Sequence, residues 1–269
     1  MRKKLVSMAL LLAFALAMLS AVALAGDTAP VSDAQIHNVS ALKSYCNTDT
    51  LSQSFYYGGM RSHIIGYDGE GVLNAPGKVT LLTWETQGST SFGPNVNYAD
   101  SYLKARMDDL AGSKLSEIER GAIAPRTLTS KDEISGADVA DALLWPLSKT
   151  EGDNLNYFKR IYNGGEWWSR TRDADVVVDS IWYMNSTGSA HMSSLKRTNP
   201  LGVRPAFNIK LDSVLFVTND GSNWSFTLLD SGRSFRAETA DIAEENGNKV
   251  LTVGYSGAEV GENEQISLI

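Results

Sequence analysis

Beyond Phe55 the chain breaks into short apolar runs separated by glycine, proline, asparagine and aspartate. His63-Ile64-Ile65-Gly66-Tyr67 reads as a strand closed by an Asp68-Gly69 turn. Val79-Thr80-Leu81-Leu82-Thr83-Trp84-Glu85 reads as a second strand, introduced by Pro76-Gly77. From Asn97 to Ala111 the period changes. Leu103, Met107 and Leu110 recur at i, i+4 and i+7, which predicts a helix with Gly112 as its C′ residue. Ser116-Glu117-Ile118-Glu119 matches a capping box and opens a short helix. Leu144-Trp145-Pro146-Leu147 is apolar but broken by proline, so it reads as a short or edge strand. Asn156 to Tyr162 reads as one helical turn.

Glu166-Trp167-Trp168-Ser169-Arg170-Thr171-Arg172 leads into a β-rich run from Val176 to Met184, and Asn185 to Gly188 forms a turn. Gly202 to Ile209 predicts a strand in which Pro205 removes a ladder donor, placing it at a sheet edge or beside a bulge. From Val214 onward the strand signals are Val214–Val217, Trp224–Leu228 and Val250–Tyr255, with a further strand at Gln265–Ile269 and a polar loop over Ala237–Glu245. Strands and helices do not alternate as βαβ units, so the expected class is α+β. The expected core includes Trp84, Leu103, Leu110, Trp167, Trp168, Val203 and Phe207.

The N-terminus has a different character. Arg2, Lys3 and Lys4 precede an uncharged run from Leu5 to Ala25 that closes on Ala23-Leu24-Ala25. This is the pattern of a secretory signal peptide cleaved after Ala25. The rival reading is an uncleaved anchor, because the run is long enough to span a bilayer. No cysteine follows it to take a lipid. The expected organisation is a signal peptide over 1–25, a linker or loosely docked arm over 26–50, a main domain over 51–213 and a β-rich extension over 214–269, read as an incomplete immunoglobulin-like module.

Composition removes several functions. The 269 residues carry a formal charge of −7, opposite to the basic excess of a nucleic-acid binder. Cleavage of the leader takes away three cations and no acid, so the remainder is more acidic still. The single cysteine, Cys46, excludes an intramolecular disulfide framework and a Cys-based zinc site. His37, His63 and His191 lack the spacing of a metal centre. The acidic neighbours Asp108 and Asp109, Glu117 and Glu119, and Asp173 and Asp175 read as solvated faces. Asp68-Gly69-Glu70-Gly71 and Glu151-Gly152-Asp153-Asn154 offer oxygen ligands for calcium, although neither matches an EF-hand loop, and ordinary turn chemistry explains both.

Two motifs carry a resemblance. Trp167-Trp168-Ser169-Arg170-Thr171 followed by Gly202-Val203-Arg204-Pro205-Ala206-Phe207-Asn208 resembles an uncharacterised domain family common in secreted proteins of Gram-positive gut bacteria. That family carries Trp-Trp-Leu-Arg-Ser and then Gly-Val-Arg-Pro-Ala-hydrophobic-Asn. Ile65-Gly66-Tyr67-Asp68, Asn97-Tyr98-Ala99-Asp100-Ser101 and Leu147-Ser148 with Glu151 agree as well. The departures are Ser169 in place of leucine and Thr171-Arg172 in place of Ser-Pro. The resemblance spans residues 55–216 and implies a C-type-lectin-like fold, shared with the formylglycine-generating enzyme and its non-catalytic relatives. It does not imply that enzyme's activity, because Cys46 precedes the fold instead of lying near its end, and the histidine set of the iron-dependent relatives is missing.

Within these motifs Trp167 and Trp168 have two readings, a buried core anchor or an exposed sugar-stacking platform. Arg170 and Arg204 would stack on those rings or bond the carbonyls of irregular loops, with Pro205 holding Arg204 extended. The turn between the motifs makes Trp182, Tyr183, His191 and Arg197 the candidate ligand-binding residues. No catalytic set is assembled. The expected function is a secreted or cell-surface, non-catalytic recognition or adhesion module for a glycan or protein. The alternatives are a hydrolase or metal-dependent enzyme, and a structural spacer.

Overall fold

A computed structural model describes residues 35–46, 53–73, 75–161, 165–172, 180–193, 195–229, 236–245 and 248–256. The chain divides into one unit over Val31–Leu229 and another that joins Met1–Pro30 to Asp230–Ile269. The leader and the segment Gln265–Ile269 lie outside the described residues, and so does Asp173–Asp179, which holds the first part of the Val176–Met184 run. No helix among the described residues is long and apolar enough to cross a membrane.

In chain order the first unit contains β1 (Gln35–His37), β2 (Ser54–Tyr57), β3 (Met60–Tyr67), β4 (Glu70–Gly71), β5 (Lys78–Thr83) and β6 (Ser89–Thr90). Helices α1 (Tyr102–Lys114) and α2 (Glu117–Ala122) follow, then β7 (Arg126–Leu128), β8 (Val139–Ala142), α3 (Lys149–Asp153) and α4 (Tyr157–Arg160). The unit closes with β9 (Trp167–Arg172), β10 (Ile181–Met184), β11 (Ala190–Ser193), β12 (Leu201–Gly202), β13 (Ala206–Lys210), β14 (Val214–Asn219) and β15 (Asn223–Leu228). The second unit shows one antiparallel hairpin, β16 (Arg236–Glu245) with β17 (Asn248–Ser256).

The larger sheet runs β1-β14-β15-β2-β3-β5-β13, with β4 paired to β3. The smaller runs β11-β10-β9-β12-β6. A single apolar core passes through the unit, and Trp145, Trp167 and Trp168 are its largest fully buried side chains. The class is α+β, as expected. Pro205 behaves as predicted: the Gly202–Ile209 segment splits into β12 and β13, and β13 ends the sheet. Among the described residues its outer side meets only single bridges, at Trp145–Ala206 and Ile123–Ile209.

Local chemistry sets the helix ends. The expected helix over Asn97–Ala111 begins instead at Tyr102, because Ser101 is extended and its hydroxyl accepts from the Lys104 N–H. Gly112 therefore lies inside α1. The burial of Leu103, Met107 and Leu110 follows the predicted stripe. The capping box at Ser116 and Glu119 forms as read, and Ser148 with Glu151 forms another at α3.

Several sequence readings need correction. Part of the 26–50 arm is structure: β1 pairs with β14, and Leu42 and Cys46 are buried beside it. The boundary at Ser213 falls inside the larger sheet, since β14 and β15 are inserted between β1 and β2. Residues 214–228 therefore belong to the first unit and not to a separate extension. Ala237–Glu245 is a strand instead of a loop, because its ladder with β17 satisfies the backbone without a buried face. Trp84 is half-buried; its ring carries the imidazole of His63 at 4.3 Å between ring centroids and the Arg61 guanidinium at 3.9 Å.

Candidate functional site

Both tryptophans of the first motif are fully buried on β9. Trp167 Nε1 donates to the Arg160 carbonyl at 3.2 Å, and Trp168 Nε1 donates to the Thr90 carbonyl at 2.8 Å. Arg204 joins the second motif to the first. Its guanidinium lies 4.8 Å from the Trp167 ring centroid and donates to the carbonyls of Thr83, Arg160 and Lys159. The Arg160 carbonyl thus accepts from both motifs. Pro205 is buried, and its carbonyl accepts from the Thr83 N–H at 2.9 Å.

Arg170 is the second buried guanidinium. It grips Glu151 with two bonds of 2.6 and 2.7 Å and also donates to the carbonyls of Pro146 and Asp132. Arg126 adds a contact to Glu151 at 2.9 Å and pairs with Asp132. Burial pushes the Glu151 carboxyl upward, but Arg170, Arg126 and the Ser148 N–H outweigh it and hold the group below its ordinary range. These motif residues hold irregular backbone together, so the core reading of the tryptophans is the correct one.

The four predicted ligand residues do not converge. Trp182 is half-buried with the Lys149 ammonium 4.9 Å from its ring centroid. Tyr183 is buried edge-on to Trp168 and is paired in register with His191. Neighbours on a strand face opposite ways, so Trp182 and Tyr183 cannot line one groove. Arg197 is half-buried, and its carbonyl accepts from the N–H groups of Phe92 and Gly93.

The turns proposed for calcium use their acids elsewhere. Glu70 pairs with Lys43 and Asp153 with Lys149, while Asp68 accepts from the Gly77 N–H. Among the described residues no three His, Cys, Asp or Glu side chains are grouped as a metal would need. The imidazole of His63 is driven down to about 3 by burial and by Arg204, Lys159 and Arg61, so it is neutral at physiological pH.

Between those same two turns lies a cavity of about 360 Å³ that includes Cys46, Gly71, Asn154, Asn156 and Lys159 in its wall. A bulge in β3 at Ile65 turns that residue toward it. Lys159 is buried and donates to the carbonyls of Tyr45 at 3.2 Å and Cys46 at 2.7 Å, tying α4 to the N-terminal segment. Burial raises the Cys46 thiol, although Lys159 pulls the other way, so the sulfur is poorly ionised. Two aromatic residues stand on the same short helix. Tyr157 is 54% exposed and Phe158 43%, with their rings in edge-on contact at 5.7 Å. The sequence reading saw a helical turn here and no site. The available signal was an aromatic pair at adjacent positions of a four-residue helix, which cannot bury both.

Together these observations define an α+β domain whose paired tryptophan and arginine motifs are structural. The chain belongs to a family described as a domain of unknown function (DUF6273), matched over residues 73–211. No curated protein and no solved structure matches it.

Proposed function

We propose that this chain is a non-catalytic, exported recognition module of C-type-lectin-like fold that binds glycan at the cleft beside α4. The exposed Tyr157–Phe158 pair carries this reading. Aromatic faces held at a surface next to amide side chains suit a sugar, which presents apolar C–H faces and hydroxyl groups together. Asn154 supplies an amide in the adjoining cavity wall, where the Asn156 side chain caps α4 by accepting from the Lys159 N–H. The basic leader with its Ala-x-Ala site supports export. The raised thiol of Cys46 and the ion-paired carboxylates around α3 speak against a nucleophile or a general base in this region.

A glycan panel probed with the purified protein tests this. Binding should appear for a defined set of sugars and fall about tenfold in Tyr157→Ala and Phe158→Ala, with melting temperatures unchanged because both rings are exposed. Absence of any glycan ligand, or binding untouched by both variants, would overturn it. Turnover of a substrate, abolished by mutating one carboxylate, would overturn the non-catalytic reading.

A further inference from the structure

A second cavity, also about 360 Å³, takes Lys78, Arg126, Thr127 and Asn208 into its wall beside Pro76 and Pro125. Asn208 closes the Gly202–Asn208 motif, and the functional reading above leaves it unused. In the antiparallel β5–β13 ladder Lys78 stands opposite Lys210 and Thr80 opposite Asn208. Positions two apart share a face, so these four residues form one patch.

Two independent observations point to a ligand. The first is the Asn208 amide. Its Oδ1 accepts from Thr80 Oγ1 at 2.8 Å, which orients the group, and its Nδ2 makes no hydrogen bond among the described residues and reaches accessible space in the cavity wall, although the residue as a whole is only 4% exposed. The second is charge. Lys78 and Lys210 are like charges placed directly opposite each other, a destabilising arrangement, and neither makes an ion pair among the described residues. Arg126 adds to this. Its Nη2 serves Asp132 and Glu151, while its Nη1 is buried without a hydrogen-bond partner among the described residues.

We propose that this cavity is an oxyanion site. A carboxylate or phosphate oxygen accepts from Asn208 Nδ2 and from the Lys78 ammonium, with the Arg126 guanidinium and Thr127 hydroxyl at its margin. The anion separates the two lysines electrostatically, and the proline rings give its carrier an apolar wall. All these residues lie inside the family-matched stretch, and none belongs to the α4 cleft.

Calorimetric titration of the purified protein with inorganic phosphate and with D-glucuronate, against sodium chloride at equal ionic strength, tests the proposal. Saturable binding of either anion is expected. It should weaken about tenfold in Lys78→Gln, which removes a charged donor, and in Asn208→Asp, which exchanges the amide donor for a carboxylate oxygen that repels the anion. Lys78→Gln also relieves a repulsion, so without anion it should be no less stable than the parent, which keeps the test readable if Asn208→Asp folds poorly. Binding of phosphate alone assigns a phosphoryl ligand, and binding of glucuronate alone assigns a carboxylate. Tyr157→Ala should leave the titration unchanged, separating this site from the glycan cleft. No saturable binding of either anion, or binding unaffected by Lys78→Gln, overturns the proposal.

Discussion

Glutamine in place of Glu151 should cost the fold about 3–5 kcal/mol, the range for breaking a buried ion pair by removing one partner. Every group around this carboxylate is a donor. Oε2 accepts from Arg170 Nη1 at 2.6 Å and from the Ser148 N–H at 2.9 Å, and Oε1 from Arg170 Nη2 at 2.7 Å with Arg126 Nη2 2.9 Å away. An amide sets its own NH2 against one of these donors. It also leaves the fully buried Arg170 charge with only the carbonyls of Asp132 and Pro146. Glu70→Gln is the matched control, because the Lys43–Glu70 pair is about half exposed on both sides and such pairs contribute about 0–1 kcal/mol. Urea unfolding followed by tryptophan fluorescence measures both. The pH dependence sharpens the test. The Glu151 carboxyl is held below its ordinary 4.5 in the folded protein, so its stabilisation is complete above that pH and fades as pH falls through the folded value. The parent and Glu151→Gln should therefore converge in stability on acidification. A loss under about 1 kcal/mol at pH 7, or a difference that persists unchanged into acid, would refute the account of Arg170.

Two buried tyrosines should respond oppositely to loss of the hydroxyl. Tyr57→Phe loses a 2.7 Å bond to the Glu119 carbonyl and should cost about 1 kcal/mol, whereas Tyr98→Phe removes a buried hydroxyl without a partner among the described residues and should be neutral or stabilising in the same urea assay. Burial raises both phenols above 10.0, so both favour the folded state below that pH and lose this contribution as pH climbs beyond it. Gly71→Ala should cost about 1–3 kcal/mol, since the residue has φ +95° and its new Cβ would lie 2.4 Å from the Ile65 carbonyl and 2.6 Å from Cys46 Sγ. Gly59→Ala, at φ +66° with open space around it, should lose less, and equal melting temperatures for the two would count against the packing argument.

Period and punctuation were enough to read β3, β5, the buried stripe of α1 and the cap of α2, because each depends on neighbours in sequence. The break between β12 and β13 was legible for the same reason, because Pro205 has no N–H to return to the β5 strand that its carbonyl meets. What escaped depends on distant partners. β1 is a three-residue strand followed by a 3-10 turn, too short to show a period, and it is defined by pairing with β14. Whether Val214–Leu228 extended the main sheet or formed its own module was a question of which edge it met. The site suffered similarly. Trp182 and Tyr183 looked like one aromatic cluster in sequence, yet strand alternation sends them to opposite faces. The role of Asn208 became visible only when register set it against Thr80 and beside Lys78.

The threading of β14 and β15 between β1 and β2 has a temporal meaning. The parallel partner of β2 and the antiparallel partner of β1 are both made last within this unit, so its N-terminal strands must wait for them during synthesis. Trp224 of β15 then packs with Tyr45 and Phe55, at 5.5 and 6.1 Å between ring centroids, which brings both ends of the unit onto one indole. Closure of so long a loop is slow compared with local hairpins. Until it happens β2 presents an open sheet edge to any other strand it meets. A chain stopped at the end of the family-matched stretch would hold that edge open permanently, so the cooperative folding unit is longer than the unit of sequence similarity.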